Sequence, residues 1–293
     1  MVGNHLRENS DYRRMLEPEG RRCWRITYAD SARFHMDILP AIPDREFPLL
    51  ARSVPAHITQ EAILITDKKK WHDPNWPRSN PRGYAIWFED RMRIQFDKQR
   101  RSLMEAKGLA SVEEVPPQTV RTPLQRAIQL LKRHRNQMFG DDKDQPISMI
   151  ITTLAARAYR NQEDIYDALA GVVAGMRDGI EVREGVYWVS NPVNSAENYA
   201  DKWGECPQRA TKFFQWLDKV EADLRLALQT RGLHLIAEQL RPSFGEGAVE
   251  RAVKQLGEAT YAQRKEGQLF METGTGTLGL TGVKVKDHTF HGQ

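Results

Sequence analysis

Asp37 lies in the run Phe34-His35-Met36-Asp37-Ile38-Leu39, just ahead of Pro40. A carboxylate near the end of a strand, two residues from another polar group and framed by apolar positions, suits Mg2+ or Mn2+. Such hard ions take oxygen ligands and share them with substrate phosphates. Two of them clamp the attacking and leaving oxygens in phosphoryl-type transfer. The plainer reading is that Asp37 caps a turn or pairs with an arginine. Lys132 lies at the edge of an apolar helical stripe, where its ammonium is a point charge for phosphate or simply a solvated helix lysine. Arg135 falls on the apolar face of that helix, so it snorkels to the surface or joins Lys132 in a phosphate pocket. Ser148 stands behind Pro146 in the first turn of the next helix. Free N–H groups and the helix dipole favour phosphate there; the alternative is a serine that only caps its own helix.

The elements that must hold these residues follow from periodicity. Cys23, Trp24, Ile26 and Tyr28 form one strand, Ala29-Asp30-Ser31 a turn, and Phe34 to Leu39 a second strand ended by Pro40. In a strand His35 and Asp37 share one face, while Phe34, Met36 and Ile38 share the other. The expectation is a polar pair displayed on an otherwise buried ribbon. A third strand is expected at Ala62 to Thr66 and a helix at Gly83 to Met104. Beyond Pro123 the chain turns helical: Leu124, Ala127, Ile128, Leu131 and Met138 keep the 3.6-residue period. Further helices are expected from near Pro146 to Tyr159, at Glu163 to Arg177, Tyr199 to Thr230 and Glu246 to Glu258. The Gly- and Thr-rich stretch Thr273 to Gln293 reads as a tail without fixed structure.

Several motifs recur in a familiar order. Tyr28-Ala29-Asp30 followed by Phe34 to Pro43 resembles the third-carboxylate strand of the bacterial cGAS/DncV-like nucleotidyltransferases, the CD-NTases. These enzymes have a SMODS-type core and make cyclic oligonucleotide second messengers in CBASS antiviral defence. Ser79-Asn80-Pro81-Arg82-Gly83-Tyr84 with Trp87-Phe88 resembles the family's SNP-x-GY-x-x-WF segment. Asn191-Pro192-Val193-Asn194 with Glu197-Asn198 resembles its NPVN-x-x-EN motif. Leu124 to Arg135 and Pro146 to Tyr159 resemble two helices of an oligoadenylate-synthetase-like domain. The resemblance covers nearly the whole chain. It implies an α+β fold with a partial polymerase-beta-like palm at residues 1–110, a helical domain at 120–270 and a flexible tail at 271–293. It makes Asp37 the catalytic carboxylate and ligand of Mg2+ or Mn2+, with Lys132, Ser148, Ser79 and Asn80 binding the nucleotide. Nucleoside triphosphates are the implied substrates. His288-Thr289-Phe290-His291-Gly292 resembles the family's tail, which implies conjugating enzymes as partners at the C-terminus.

One departure stands against this. The family opens with a Gly-Ser turn and an acid-x-Asp pair, and the 293 residues contain no Gly-Ser dipeptide. Glu17/Glu19, Asp142/Asp144 and Glu221/Asp223 are poor substitutes, the last because i and i+2 do not share a helix face. The chain reads as a member without its first third. Alone it is expected to be inactive, with a non-catalytic nucleotide- or partner-binding remnant as the alternative function.

Composition excludes other classes. The chain has 43 Lys and Arg against 39 Asp and Glu, and 40% hydrophobic residues, so a globular core is affordable and no duplex nucleic-acid footprint stands out. Trp71, Trp76 and Lys68 to Lys70 could stack on a single strand, although a solvated loop is the simpler reading. Cys23 and Cys206 are the only cysteines, too few for a disulfide framework. The histidines lack zinc spacing. No apolar run is long enough for a membrane span, and a cytoplasmic location is expected.

Overall fold

Trp24 and Ile26 alternate with Arg25 and Thr27 at period two, and this alternation builds the first ribbon of the chain. The structure is a computed structural model that describes residues 2–28, 34–47, 54–70, 72, 75–274, 278–279 and 281–285. Its elements run α1 (Val2–Glu8), α2 (Ser10–Met15), β1 (Trp24–Thr27), β2 (His35–Ile38), β3 (Ala41–Pro43), α3 (Ala56–Thr59), β4 (Ile63–Ile65) and β5 (Arg78–Ser79). Then come α4 (Pro81–Ala106), α5 (Pro123–Phe139), α6 (Ser148–Ala158) and α7 (Ile165–Met176). Two hairpins follow, β6 (Glu181–Arg183) with β7 (Val186–Trp188), and β8 (Ser190–Asn191) with β9 (Asn194–Asn198). The last elements are α8 (Lys202–Glu205), α9 (Pro207–Gln229), α10 (Leu233–Phe244), α11 (Glu246–Lys265), β10 (Phe270–Met271), β11 (Leu278–Gly279) and β12 (Val283–Lys284). The fold is α+β.

The chain divides into two units that interleave in sequence: Met1–Gln125 with Thr152–Glu205, and Arg126–Ile151 with Cys206–Gln293. In the first, β1 and β2 pair antiparallel with Arg25 opposite Asp37, and β3, β4 and β5 form a separate antiparallel sheet. Leu6, Trp24 and Ile26 make a small core under β1. Asn80 caps α4 by accepting from the Gly83 N–H at 2.8 Å, and Pro81 follows at the first helical position. Across this unit Arg91 donates to the carbonyls of Ala156 at 2.8 Å and Tyr159 at 2.7 Å. A guanidinium thus takes up carbonyls that the end of α6 leaves unpaired. Arg91→Ala is expected to cost about 2–3 kcal/mol, because charged hydrogen bonds are lost and carbonyls stripped; urea unfolding with an unchanged slope checks it.

The ribbon expectation needs correction. Of the pair, β1 buries Trp24 and Ile26, whereas Met36 on β2 is 42% exposed and Phe34, just before it, 52%. β2 pairs with β1 alone among the described residues. An open edge flanked by apolar side chains invites a second chain. Self-association that rises with concentration is expected, weakened by Met36→Lys; light scattering across a dilution series checks it.

Three other expectations change. The single helix read over Tyr199 to Thr230 breaks at Cys206, because Pro207 cannot extend a helix begun before it and pushes its predecessor out of the α region. α10 was not anticipated; Pro242 lies inside it, close to its end. The tail is not wholly irregular, for β11 and β12 both pair with β10. The turn Ala29-Asp30-Ser31, Trp71 and the motif His288 to Gly292 lie outside the described residues.

Candidate functional site

The second unit assembles the clearest constellation. Ile128 and Leu131 are buried on the apolar face of α5, which sets Lys132 at the rim of that face. Lys132 is half-buried, and among the described residues no carboxylate pairs with it. Burial first, and then neighbouring Arg135, hold its ammonium below the ordinary lysine value. Arg135 donates from Nη1 to the Pro146 carbonyl at 2.5 Å, from Nη2 to Ser148 Oγ at 3.3 Å and from Nε to Asn136 Oδ1 at 2.8 Å. It therefore lies near Lys132 with its guanidinium anchored at the start of α6. Ser148 is the first residue of α6 and is exposed, so its hydroxyl and the free N–H groups of that turn face outward. Two cations, a hydroxyl and a helix N-terminus converge with no acid among them. Such a set of groups is chemically able to receive a multiply charged anion.

The acids nearby are spent elsewhere. Asp142 pairs with Lys212 at 2.6 Å and Asp144 with Arg209 at 2.8 Å, which ties the α5–α6 loop to α9. These partners hold both carboxyls below the usual range, hydrogen bonding from Lys212 and Arg209 being the leading cause in each. Behind α5, His134 is 2% exposed and places Nε2 3.0 Å from Asp223 Oδ2. Asp223 also accepts from Ser243 and Lys219, so one carboxylate joins α5, α9 and α10. Burial pushes the Asp223 carboxyl up, but the hydrogen bonds from Lys219, Ser243 and His134 outweigh it and the net shift is downward. Burial depresses His134 despite Asp223.

Asp37 belongs to the first unit. Across the β1–β2 ladder Arg25 donates from Nε to Asp37 Oδ1 at 2.8 Å. This bond is the first cause holding Asp37 below the usual carboxylate value, so it is ionised and partly exposed. His35 shares its face, as alternation requires. The described residues contain no group of three or more His, Cys, Asp or Glu side chains able to hold a metal ion. One carboxylate facing an arginine does not make a Mg2+ or Mn2+ site, and no chemical step is assigned to the ion below.

Ser79 and Asn80 part company. Ser79 lines a cleft of about 660 Å³ together with Trp76, Arg78 and the β8–β9 hairpin residues Asn194 to Glu197. Asn80 is buried, and its amide is used twice, by Gly83 N–H and by donation to the Ile58 carbonyl at 2.8 Å. The asparagines of the second motif are braces too. Asn191 donates to Glu197 at 2.7 Å, and Asn198 Oδ1 accepts from the Val189 and Ala200 N–H groups, each at 2.9 Å. Tyr84 of the first motif is hydrogen-bonded to Thr153 at 2.9 Å and packs on Trp87 with ring centroids 5.3 Å apart.

No protein-family model matches the chain. It is 30% identical over 277 residues to a c-di-GMP synthase of Roseivirga ehrenbergii, covering 93% of this chain and 68% of that protein. It is 27% identical over 304 residues to the cyclic dinucleotide synthase CdnG of Bradyrhizobium diazoefficiens, again covering 93% of this chain and 69% of the relative. The solved structure of that CD-NTase CdnG in complex with GTP superposes with a TM-score of 0.57 at 23% identity, over 83% of this chain and 69% of that one, and shows a shared fold. At this identity and coverage, and with the shared fold, the chain belongs to the bacterial cGAS/DncV-like nucleotidyltransferase (CD-NTase) family.

Proposed function

We propose that the chain binds nucleoside triphosphates at Lys132, Arg135 and Ser148 and serves synthesis of cyclic di- or trinucleotide second messengers, in the antiviral setting of its family. The observation that carries this reading is the convergence of two cations and a helix N-terminus with no acid between them. Lys132 supplies a mobile point charge, while Arg135, already fixed on the Pro146 carbonyl, supplies an oriented one. Ser148 and its helix turn donate to terminal phosphate oxygens. In the reaction a ribose hydroxyl attacks the α-phosphorus and pyrophosphate leaves. The work of these residues is orientation and charge stabilisation of the leaving group.

Ser79 is proposed to bind nucleotide within its own cleft, with Asn80 fixing the strand–helix junction that presents it. Asp37, kept ionised by Arg25, is the proposed catalytic carboxylate. Mg2+ or Mn2+ would need oxygens beyond this one side chain, from nucleotide phosphates and from residues other than those described.

The experiment is calorimetric titration of the purified chain with ATP, GTP and adenosine. Lys132→Ala is expected to weaken triphosphate binding by roughly tenfold to a hundredfold, the worth of a charged hydrogen bond, and to leave adenosine unaffected. Equal affinities for ATP and adenosine, or an unchanged variant, would overturn the reading.

A further inference from the structure

The first unit holds a second cationic cavity that the reading above does not use. Gly20 N–H donates to the Cys23 carbonyl at 3.1 Å, and this tight turn sets Arg21 and Arg22 side by side. The turn has little room to change, since a Cβ at Gly20 would lie 2.9 Å from that same carbonyl oxygen. Both guanidiniums are gathered by Asp67, whose side chain is 0% exposed. Arg21 approaches it through Nε at 2.8 Å and Nη2 at 2.7 Å, and Arg22 through Nε at 3.2 Å; the Lys69 N–H adds a fourth bond at 3.0 Å. Asp67 is therefore saturated.

The arginines are not. Each is nearly half exposed, and among the described residues Arg21 Nη1 and both terminal nitrogens of Arg22 have no partner. Lys68 adds a third cation, paired with Glu19 at 3.0 Å. These groups border a cavity of about 340 Å³ with Trp24 and Trp76 among its walls. Trp76 is the reachable ring, pinned by donation from Nε1 to the Lys70 carbonyl at 3.1 Å.

A buried carboxylate that immobilises two like-charged guanidiniums is a costly way to build a surface. The arrangement leaves two forks repelling each other with unused N–H groups turned to solvent. An oxyanion bound across both forks relieves that repulsion, and planar forks recognise phosphate with two parallel bonds. The adjoining indole offers a flat apolar face to a ring, with cation–π support from the same charges.

We infer that this cavity is a second small-molecule site, distinct from the Lys132 cluster of the other unit, and that it takes an aromatic phosphomonoester of mononucleotide size. The phosphate lies on Arg21, Arg22 and Lys68, and the ring lies on Trp76. Arg22 and Trp76 also border the Ser79 cleft, so occupancy here is positioned to alter that cleft.

The test uses the full chain carrying Lys132→Ala, which weakens the triphosphate site, with GMP as probe and inorganic phosphate as control. Saturable GMP binding is expected, measured by calorimetric titration. Adding Arg22→Gln and Lys68→Gln together should weaken it about tenfold or more. Trp76→Leu, which leaves all three cations in place, should weaken GMP and leave phosphate binding within about twofold. Absence of saturable GMP binding in the Lys132→Ala chain would overturn the inference. So would an unchanged affinity in the Arg22/Lys68 variant, or phosphate binding as tight as GMP.

Discussion

The purified 293-residue chain is expected to form no oligonucleotide from ATP, GTP or their mixture with Mg2+ or Mn2+, even while it binds triphosphate. A divalent ion in phosphoryl-type transfer leans on several carboxylate oxygens as well as on the nucleotide. Among the described residues β2 carries one carboxylate, the proposed catalytic Asp37, and Arg25 already holds it. The 293 residues contain no Gly-Ser turn to grip the incoming phosphates. Losing a single preorganised stabilising group commonly costs two to three orders of magnitude, so turnover at least about 10³-fold below a complete enzyme is expected. A labelled-triphosphate assay resolves this. Product that disappears in Asp37→Ala would show that the chain is an active enzyme as it stands. Product is expected once a segment bearing Gly-Ser and an acid-x-Asp pair is joined to it, and Asp37→Ala should then abolish it.

The next largest effect is expected at Asp223. Replacing it by Ala leaves His134, Ser243 and Lys219 without their shared acceptor, two of them buried, and should cost about 3–5 kcal/mol. The same network makes stability depend on pH. His134 has a folded-state value below its ordinary 6.5, so the unfolded chain takes up a proton first as the medium acidifies. Its contribution is complete above the ordinary value and is lost as pH falls below it. Asp223, depressed as well, adds a further loss only below the usual carboxylate range. The thermal midpoint should therefore fall between about pH 7 and pH 5, and fall less in His134→Gln. A flat profile in the parent chain, or equal slopes in both, would contradict this assignment. The unpartnered buried Nδ1 of His134 fits the neutral ring, since a bare lone pair there is cheaper than a stranded N–H.

What the sequence made legible follows the strength of each local signal. Alternation from Trp24 to Thr27 and from His35 to Ile38 located the ribbon and the face of Asp37, because side-chain direction in a strand depends only on parity. It did not reveal which strand is covered, since burial depends on α1, whose Leu6 packs on Trp24 and Ile26. The stripe on α5 placed Lys132 at its edge correctly, while the Arg135–Ser148 contact depends on how the α5–α6 loop closes. The β6–β7 hairpin was invisible because its turn residues, Glu184 at φ 50° and Gly185 at φ 81°, use a glutamate where Asn or Asp would advertise left-handed backbone. The Arg21-Arg22 dipeptide and Asp67 were readable individually. Forty-odd residues separate them, and only the fold made them one group.

Lys132 has tethered neighbours, and that has an evolutionary consequence. The next residue, Arg133, donates to the Phe244 carbonyl at 2.8 Å, and His134 is locked on Asp223. Gly245 closes the same corner at φ 86°, a left-handed backbone that strains any residue with a side chain. α5 is thereby fixed against turning about its own axis. Lys132, unlike Arg133, His134 and Arg135, holds none of these bonds, so it is the position on this stretch of α5 that can be exchanged without the helix losing its seat.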